Sequence, residues 1–136
     1  MSNLWYFLGV PGLEEGRTFV LLVEDEAVVA HLIQEVLRFL QYDAVSAGSV
    51  EEALRVWTKH REEIAVVMLD WTLPGSTGDG LLRSLRAANP RLPVVLMSGD
   101  PTLWEEDVDG RGERTSLLKK PFTIEEVREA LARVLA

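Results

Sequence analysis

Five short apolar runs, separated by segments of helical periodicity, constrain the fold of this chain more than any other feature of its sequence. The first, third and fourth runs are apolar almost throughout, as expected of strands that are covered on both faces of a sheet. Short buried strands that alternate with helices favour a parallel sheet with helices packed on both sides. The sequence therefore predicts an α/β fold with five strands, at Phe19–Val23, Asp43–Ala47, Ile64–Leu69, Val94–Met97 and Ser116–Lys119.

Apolar residues spaced three and four apart predict the helices between these strands. Ser49 with Glu52, and Thr123 with Glu126, have the spacing of capping boxes and predict the starts of the second and the last helix. The first helix is predicted from seven apolar residues that we expect on one buried face: Val28, Val29, Leu32, Ile33, Val36, Leu37 and Leu40.

The segments on either side of the fourth strand are less regular. One proline and three glycines between residues 74 and 80 predict a turn-rich loop. A short helix is expected to follow, from Leu81 to a point before Pro90. Residues 102–108 predict a weak helix that is acidic and is followed by two more glycines.

Reactive side chains follow four of the five predicted strands, at the point where each strand ends. Glu24 and Asp25 follow the first strand, Asp70 the third, Ser98 the fourth and Lys120 the fifth. Any one of them alone is more typical of a helix cap or a solvated loop residue. Because the carboxyl ends of parallel strands meet at one edge of the sheet, we expect these groups to converge there and form a site.

The residue types at this edge are suited to phosphoryl transfer. Three carboxylates in one cleft repel one another unless a cation lies among them. With no His or Cys nearby, oxygen ligands favour a hard cation such as Mg²⁺, which often completes its shell with substrate phosphate. A hydroxyl and an ammonium group are suited to hold phosphoryl oxygens, and an aspartate can act as nucleophile. The residues predict magnesium-dependent phosphoryl transfer onto Asp70.

Four ordered motifs resemble those of response-regulator receiver domains from two-component signalling. They are Val23-Glu24-Asp25-Glu26, Asp70 with Leu73-Pro74 and Gly78, Leu96-Met97-Ser98-Gly99, and Lys120-Pro121-Phe122. The resemblance covers residues 18–136 and implies a flavodoxin-like, doubly wound sheet with strand order 2-1-3-4-5. It also implies that a histidine kinase or a histidine phosphotransfer protein donates the phosphoryl group.

By this resemblance, Asp70 is the phosphoacceptor and one of the ligands of Mg²⁺, for which Mn²⁺ could substitute. Asp25 would be a direct metal ligand, and Glu24 would act through water or assist it. The backbone carbonyl of Thr72 would complete the protein ligands. Ser98 would be the hydroxyl that follows the phosphoryl group.

The resemblance also assigns Lys120 as the counter-cation of the phosphoryl group, before a cis peptide bond at Pro121. The chain departs from the family at Leu117, where an aromatic residue or histidine is usual three positions before the lysine. We expect Leu117 to stay packed at a buried strand position, so that motion of Ser98 couples weakly to the fifth strand.

Composition excludes several other classes of function. The chain has 22 acidic and 14 basic residues, a net charge of −8 and no cysteine. This charge argues against binding to nucleic acid, and the lack of cysteine excludes disulfides and thiolate metal sites. The apolar stretch Leu4–Val10 is far shorter than the roughly 18 residues of a membrane span, and no basic residue precedes Arg17. We therefore expect no membrane insertion and a cytoplasmic location.

Residues 1–17 do not share the alternating pattern of the rest. Leu4–Leu8 is apolar and is followed by several glycines and a proline with no sustained period. This segment is interpreted either as the remnant of a domain junction or as an apolar strip that docks on a partner or on a second copy of the chain. We take residues 1–17 as an extension or linker and residues 18–136 as the receiver domain.

Other functions stay open at this point. A haloacid-dehalogenase-type phosphatase also uses an aspartate nucleophile, but it usually has a second aspartate two residues further on, where this chain has Thr72. A phosphorylation-independent interaction module is a further alternative. The favoured interpretation is a switch and not an enzyme, with slow self-dephosphorylation as its only turnover. It would be a single-domain regulator or the receiver of a hybrid sensor kinase, with an unknown target protein and with homodimerisation left open.

Overall fold

The computed structural model describes residues 17–73, 76–100 and 114–136. All but the last residue of the predicted N-terminal extension lies outside the described residues. So do Pro74, Gly75 and the helix predicted at residues 102–108. Within the described part of the chain, no helix combines the length and the apolar character that crossing a bilayer requires.

The core of the fold is a parallel sheet of five strands, as predicted. Its order is β2-β1-β3-β4-β5, and all four neighbouring pairs run parallel. Each strand has five residues: β1 (Phe19–Val23), β2 (Asp43–Ala47), β3 (Val66–Asp70), β4 (Val94–Ser98) and β5 (Thr115–Lys119).

The third and fourth strands differ from their predicted bounds at the edge that carries the reactive groups. Strand β3 includes Asp70, which pairs with Met97 of β4, and β4 includes Ser98, which pairs with Lys119 of β5. At its other end β3 begins two residues later than predicted. Ile64 is buried but belongs to the turn after the second helix, because its N–H donates to the carbonyl of His60 at 3.2 Å.

Four helices connect and cover the strands of the described residues: α1 (Ala27–Phe39), α2 (Val50–His60), α3 (Gly78–Ala88) and α4 (Ile124–Leu135). The predicted capping box of α4 is complete, with Thr123 and Glu126 each accepting the other's backbone N–H. That of α2 is only half formed. Ser49 accepts the N–H of Glu52 at 3.1 Å, but the Glu52 carboxylate accepts the N–H of Gly48 at 3.2 Å instead of that of Ser49.

The prediction of a loop between residues 74 and 80 is partly wrong. Residues Thr72–Leu73 and Ser76–Thr77 form a short antiparallel pair, and α3 already begins at Gly78. Glycine is required there because a Cβ atom on Gly78 would lie 2.9 Å from Cε3 of Trp71 and 3.3 Å from the carbonyl oxygen of Asp70. Close packing under the helix, not turn formation, explains this glycine.

The side chains of the sheet form two cores, one on each face. On one face α2 and α3 pack over the sheet around Trp57, Trp71 and Leu85. On the other face α1 and α4 pack around Ile33 and Val127. The helices therefore lie on both sides of the sheet, and the prediction of a doubly wound α/β fold is confirmed.

The buried face of α1 is narrower than the predicted stripe. Ile33 and Leu37 are buried, but Val28 is 74% exposed and Leu32 is 59% exposed. The spacing of apolar residues identified the helix correctly, but it could not show how much of the apolar surface its neighbours cover. Part of the apolar face of α1 is open to solvent.

Candidate functional site

The predicted reactive residues do come to one edge of the sheet, at the carboxyl ends of the strands. Glu24 follows β1, and its backbone N–H donates to the carbonyl of Ala47 at 3.0 Å, which continues the pairing with β2. The N–H of Lys120 likewise donates to the carbonyl of Ser98 at 2.8 Å, one residue beyond β5. Sheet hydrogen bonds thus hold the backbone at both of these charged residues.

Three carboxylates meet at this edge. Glu24, Asp25 and Asp70 each offer an oxygen, and these atoms all lie within 4.8 Å of one another. Glu24 and Asp70 are buried, and Asp25 is the most exposed of the three. Charges this close in a partly dry pocket disfavour one another unless a cation compensates them.

Asp70 lies at the centre of the cluster with both of its oxygens near a positive group or donor. Oδ1 accepts the backbone N–H of Thr72 at 3.0 Å, and Oδ2 lies 3.6 Å from Nζ of Lys120. Burial raises the pKa of Asp70 from 3.8 to about 6, and the negative charge of Glu24 contributes to the increase. The Thr72 N–H and the charge of Lys120 oppose that increase in pKa without cancelling it.

Lys120 is bound more closely to Glu24 than to Asp70. Its Nζ lies 2.6 Å from Oε1 of Glu24, and the Glu24 side chain is fully buried. Burial alone would lower the pKa of Lys120, but the hydrogen bond to Glu24 and the charge of Asp70 outweigh it, so the pKa lies above its ordinary value. Lys120 therefore carries its positive charge and bridges the two buried carboxylates.

Ser98 is buried at the end of β4, and its hydroxyl is engaged locally. Its Oγ accepts the backbone N–H of Asp100 at 3.0 Å. The next residue of the site, Lys120, is followed by a cis peptide bond to Pro121, as the resemblance implies. Thr72 is exposed and contributes its backbone N–H to Asp70.

The donor set fits a hard divalent cation. All three side chains offer oxygen, two of them are buried, and burial together with the charge of Glu24 raises the pKa of Asp70. Mg²⁺ prefers carboxylate and carbonyl oxygens and retains several waters, for which the more exposed Asp25 side leaves access. The acidic group is thus able to hold a metal ion.

The sequence did not show two contacts that shape this site. Glu24 and Lys120 are 96 positions apart, and no local pattern announces their ion pair. The contact of the Trp71 ring with Gly78 also appears only in the structure, where it joins the residue after Asp70 to the start of α3. In the sequence, nothing points to this contact except that Trp71 and Gly78 are seven positions apart.

The position of Leu117 contradicts its predicted burial. Leu117 is 36% exposed, whereas its neighbours Ser116 and Leu118 are buried under α4. Strand alternation explains the difference, since successive side chains of β5 point to opposite faces. The Ser116 hydroxyl also donates to the carbonyl of Ala130 at 2.7 Å, which fixes the buried face of β5 to α4.

Comparison with known proteins places the sequence close to one family. The family described as "Response regulator receiver domain" matches residues 20–132. Among curated proteins, the chain is 33% identical over 108 residues to "Probable transcriptional regulatory protein TcrX" of Mycobacterium tuberculosis, covering 79% of this chain and 45% of that protein. It is 29% identical to "Sporulation initiation phosphotransferase F" of Bacillus subtilis, covering 85% of this chain and 92% of that protein.

Solved structures show the same architecture. The chemotaxis protein CheY4 of Vibrio cholerae superposes with a TM-score of 0.78 at 26% sequence identity, covering 88% of this chain and all of that one. The chain spans less than half the length of the M. tuberculosis relative but most of the B. subtilis relative. The matched residues contain every candidate site residue and all five strands except the first residue of β1.

Proposed function

The chain belongs to the response-regulator receiver family, the phosphorylation-based switch domains of two-component signalling, and from this premise we propose that Asp70 is its phosphoacceptor. The phosphoryl group would come from a phosphohistidine of a histidine kinase or of a histidine phosphotransfer protein. The observation that carries the proposal is the environment of Asp70, a buried carboxylate between a backbone N–H donor and a lysine ammonium. The donor and the positive charge can stabilise the negative charge that a phosphoryl group would add to Asp70.

The proposed reaction forms one bond and breaks another. A carboxylate oxygen of ionised Asp70 attacks the phosphorus atom, an O–P bond forms, and the N–P bond of the phosphohistidine breaks. The imidazole nitrogen keeps the electron pair of that bond, and because the other ring nitrogen of the phosphohistidine carries a proton, the donor leaves as a neutral histidine. Because the pKa of Asp70 is raised only to about 6, the carboxylate is mostly ionised at neutral pH and available as a nucleophile.

The neighbouring residues have separate tasks in this proposal. The Thr72 N–H orients Asp70 through its bond to Oδ1. Lys120 would move from Glu24 towards the added phosphoryl oxygens, and its existing distance of 3.6 Å from Oδ2 of Asp70 makes this a short displacement. Ser98 would exchange its local bond with Asp100 for one to the phosphoryl group.

Magnesium, or manganese in its place, fits the acidic group and is part of the proposal. Asp25, Asp70 and the backbone carbonyl of Thr72 would hold it, with Glu24 acting through water because its carboxylate is already bound to Lys120. When bound, a divalent cation neutralises charge on the transferring phosphoryl group. The proposal includes no small-molecule turnover, and slow self-dephosphorylation is the only hydrolysis we expect.

The wider setting is also proposed. We take residues 18–136 as the receiver domain, acting in the cytoplasm either as a single-domain regulator or within a hybrid sensor kinase. The "phosphotransferase" in the name of the B. subtilis relative, which this chain covers almost completely, supports a role in passing phosphoryl groups between proteins.

The intact mass of the protein after incubation with acetyl phosphate and Mg²⁺ tests the proposal. We expect a gain of one phosphoryl group that disappears on metal chelation and in Asp70→Asn. Asp79→Asn is the matched control, because Asp79 is another aspartate near the site in sequence but pairs with Arg83 on the surface of α3. If the chain stays unmodified, or if Asp70→Asn is modified as fully as the parent, the proposed acceptor is wrong. Steady release of phosphate from small molecules would instead favour the phosphatase alternative.

A further inference from the structure

Strand β2 forms one edge of the sheet, and its centre carries no charge. Among the described residues, no strand lies beyond it. Edge strands are usually protected from pairing with another chain by a lysine, a proline or a bulge. The other edge strand, β5, carries the exposed Lys119. The middle of β2 is Ala44-Val45-Ser46, and its one charged residue, Asp43, is buried at its start, so β2 is the less protected edge.

The backbone pairing with β1 fixes which groups of β2 face outwards. The N–H of Asp43 donates to the carbonyl of Thr18 at 3.0 Å, so the odd-numbered residues of β2 turn their N–H and C=O groups towards β1. Because these groups point to alternate sides along a strand, those of Ala44 and Ser46 point away from β1. The outer edge therefore offers the donors and acceptors of these two residues.

We propose that a second copy of the chain pairs antiparallel with β2 across a two-fold axis near Val45. In this register Ala44 of each copy lies opposite Ser46 of the other, and each such pair exchanges two N–H···O=C bonds. Any other register would place an outward-facing residue opposite one outside β2 or one whose backbone groups face β1. The inference goes beyond the proposed function and does not depend on phosphorylation.

One flank of α2 lies above this edge and carries two charges of opposite sign. Trp57 lines a pocket together with Ala88 at the end of α3, so its flank of α2 faces α3. Glu52, Val56 and Lys59 are spaced three and four residues apart and share the other flank. Because α2 and α3 cover the same face of the sheet and β2 is the edge strand, this other flank faces the outer edge of β2.

Two-fold symmetry brings opposite charges of the two flanks together. Val45 and Val56 pack against the same core, so an axis near Val45 also passes near Val56. The two copies of α2 are then antiparallel, and Glu52, about one turn before Val56, comes opposite Lys59 of the second copy, about one turn after it. Lys59 is exposed, and Glu52 uses only Oε2 to accept the N–H of Gly48, which leaves Oε1 available. The surface is thus self-complementary in hydrogen bonds and in charge, as a two-fold contact between copies requires.

Amide hydrogen exchange of the full chain at low and high protein concentration tests the proposal, with the dissociation constant taken from sedimentation equilibrium. Where about 90% of the chains are dimeric, the amides of Ala44 and Ser46 should exchange about tenfold slower than in the monomer, because only the monomer exposes them. Val45 and Ala47 are internal controls, since their N–H groups bond β1 at every concentration.

Charge reversal tests the contact between the two copies of α2. Glu52→Lys and Lys59→Glu should each raise the dissociation constant several-fold, because each places like charges opposite one another, and the double variant should restore it. Lys119→Glu on β5 is the matched control, because it changes the net charge as Lys59→Glu does and should leave the constant unchanged. Circular dichroism checks the folding of each variant, and the comparison of Lys59→Glu with Lys119→Glu stands even if Glu52→Lys does not fold.

Several results would overturn the inference. A chain that stays monomeric at the highest concentration makes no such contact. Protection of Ala44 and Ser46 that is independent of concentration shows that the edge is covered within one copy. A dimer whose slowed amides lie elsewhere, that weakens equally in Lys59→Glu and Lys119→Glu, or that a folded double variant does not restore, uses another surface.

Discussion

On the α2–α3 side of the sheet, Trp57, Trp71 and Leu85 lie in a closed core, whereas on the α1–α4 side Leu32 and Ile124 leave much of their surface exposed. The closed side is also fixed by Arg86 of α3, whose Nη2 donates to the carbonyl of Arg114 and the hydroxyl of Thr115 at the start of β5. Both sides are covered by amphipathic helices, but α1 and α4 leave more large apolar side chains exposed than α2 and α3 do.

The difference assigns distinct tasks to the two faces. The closed face helps to position the edge that carries Asp70, because Trp71 follows Asp70 directly and packs against Gly78 at the start of α3. The open face presents apolar surface beside Lys120.

The same substitution at Leu85 and at Leu32 compares the stability contributed by a leucine on each face. Leu85→Ala removes a fully buried side chain of the closed face, and we expect it to lower the free energy of unfolding by about 2–5 kcal/mol. Leu32→Ala makes the same chemical change on the open face, and we expect a loss of about 0.5 kcal/mol or less. Urea unfolding followed by circular dichroism gives both values. Equal losses would show that Leu32 is covered in solution as fully as Leu85.

Magnesium should stabilise the edge of the sheet that carries the three carboxylates and leave the open face unaffected. At about 100 times its dissociation constant, a ligand adds roughly 2.7 kcal/mol to the free energy of unfolding. Asp70→Asn should raise the melting temperature of the metal-free protein, because it removes one of three close carboxylates, and it should weaken the response to magnesium. Asp79→Asn should keep the response of the parent. A melting temperature that ignores millimolar magnesium would contradict the metal site.

The stability of the metal-free protein should depend on pH through Asp70. Burial and the charge of Glu24 raise the pKa of Asp70 in the folded state to about 6, above its ordinary value of 3.8. The folded state therefore favours the protonated form. The stability that Asp70 contributes is complete below about pH 4 and is lost as the pH rises through about 6.

The difference in unfolding free energy between the parent and Asp70→Asn isolates this contribution. We expect the parent to lose stability relative to Asp70→Asn between pH 4 and about 6, and the difference to stay constant above that range. Urea unfolding with a chelator present, repeated across the pH range, provides the measurement. If the parent instead gains stability relative to Asp70→Asn as the pH rises, folding lowers the pKa of Asp70 and does not raise it.

A smaller, spectroscopic effect is expected at Trp71. This residue directly follows Asp70 in the chain, and its backbone N–H donates to the carbonyl of Met97 at 2.8 Å. A change at Asp70 should therefore reach its ring. Magnesium should alter the tryptophan emission of the parent. It should also alter that of Trp57→Phe, which removes a tryptophan of α2. Trp71→Phe should lose the change. An unchanged response in Trp71→Phe would mean that another of the four tryptophans reports on the site.

The strands and the convergence of the site residues could be predicted from the sequence, because both follow from local patterns. Apolar runs identified β1 and β2 to the residue, and parallel pairing then required Glu24, Asp70 and Lys120 to meet at one edge. Periodicity could not predict which side chains are covered, since Leu32 and Leu117 have the right type and spacing for burial but lack neighbours that cover them. The sequence placed Glu24 and Lys120 at the same edge, but it could not show that Lys120 lies closer to Glu24 than to Asp70, because that depends on side-chain packing.

Chemical identification of the modified residue tests the assignment of Asp70 as the phosphoacceptor. Borohydride reduces an acyl phosphate to an alcohol, so a phosphorylated aspartate becomes homoserine and is located by peptide mass spectrometry. After treatment with acetyl phosphate and Mg²⁺, we predict that homoserine forms at position 70 and not at Asp25, its more exposed neighbour in the carboxylate cluster. Homoserine at position 25, or no reduced residue in a protein that has gained a phosphoryl group, would contradict the assignment of Asp70 as the acceptor.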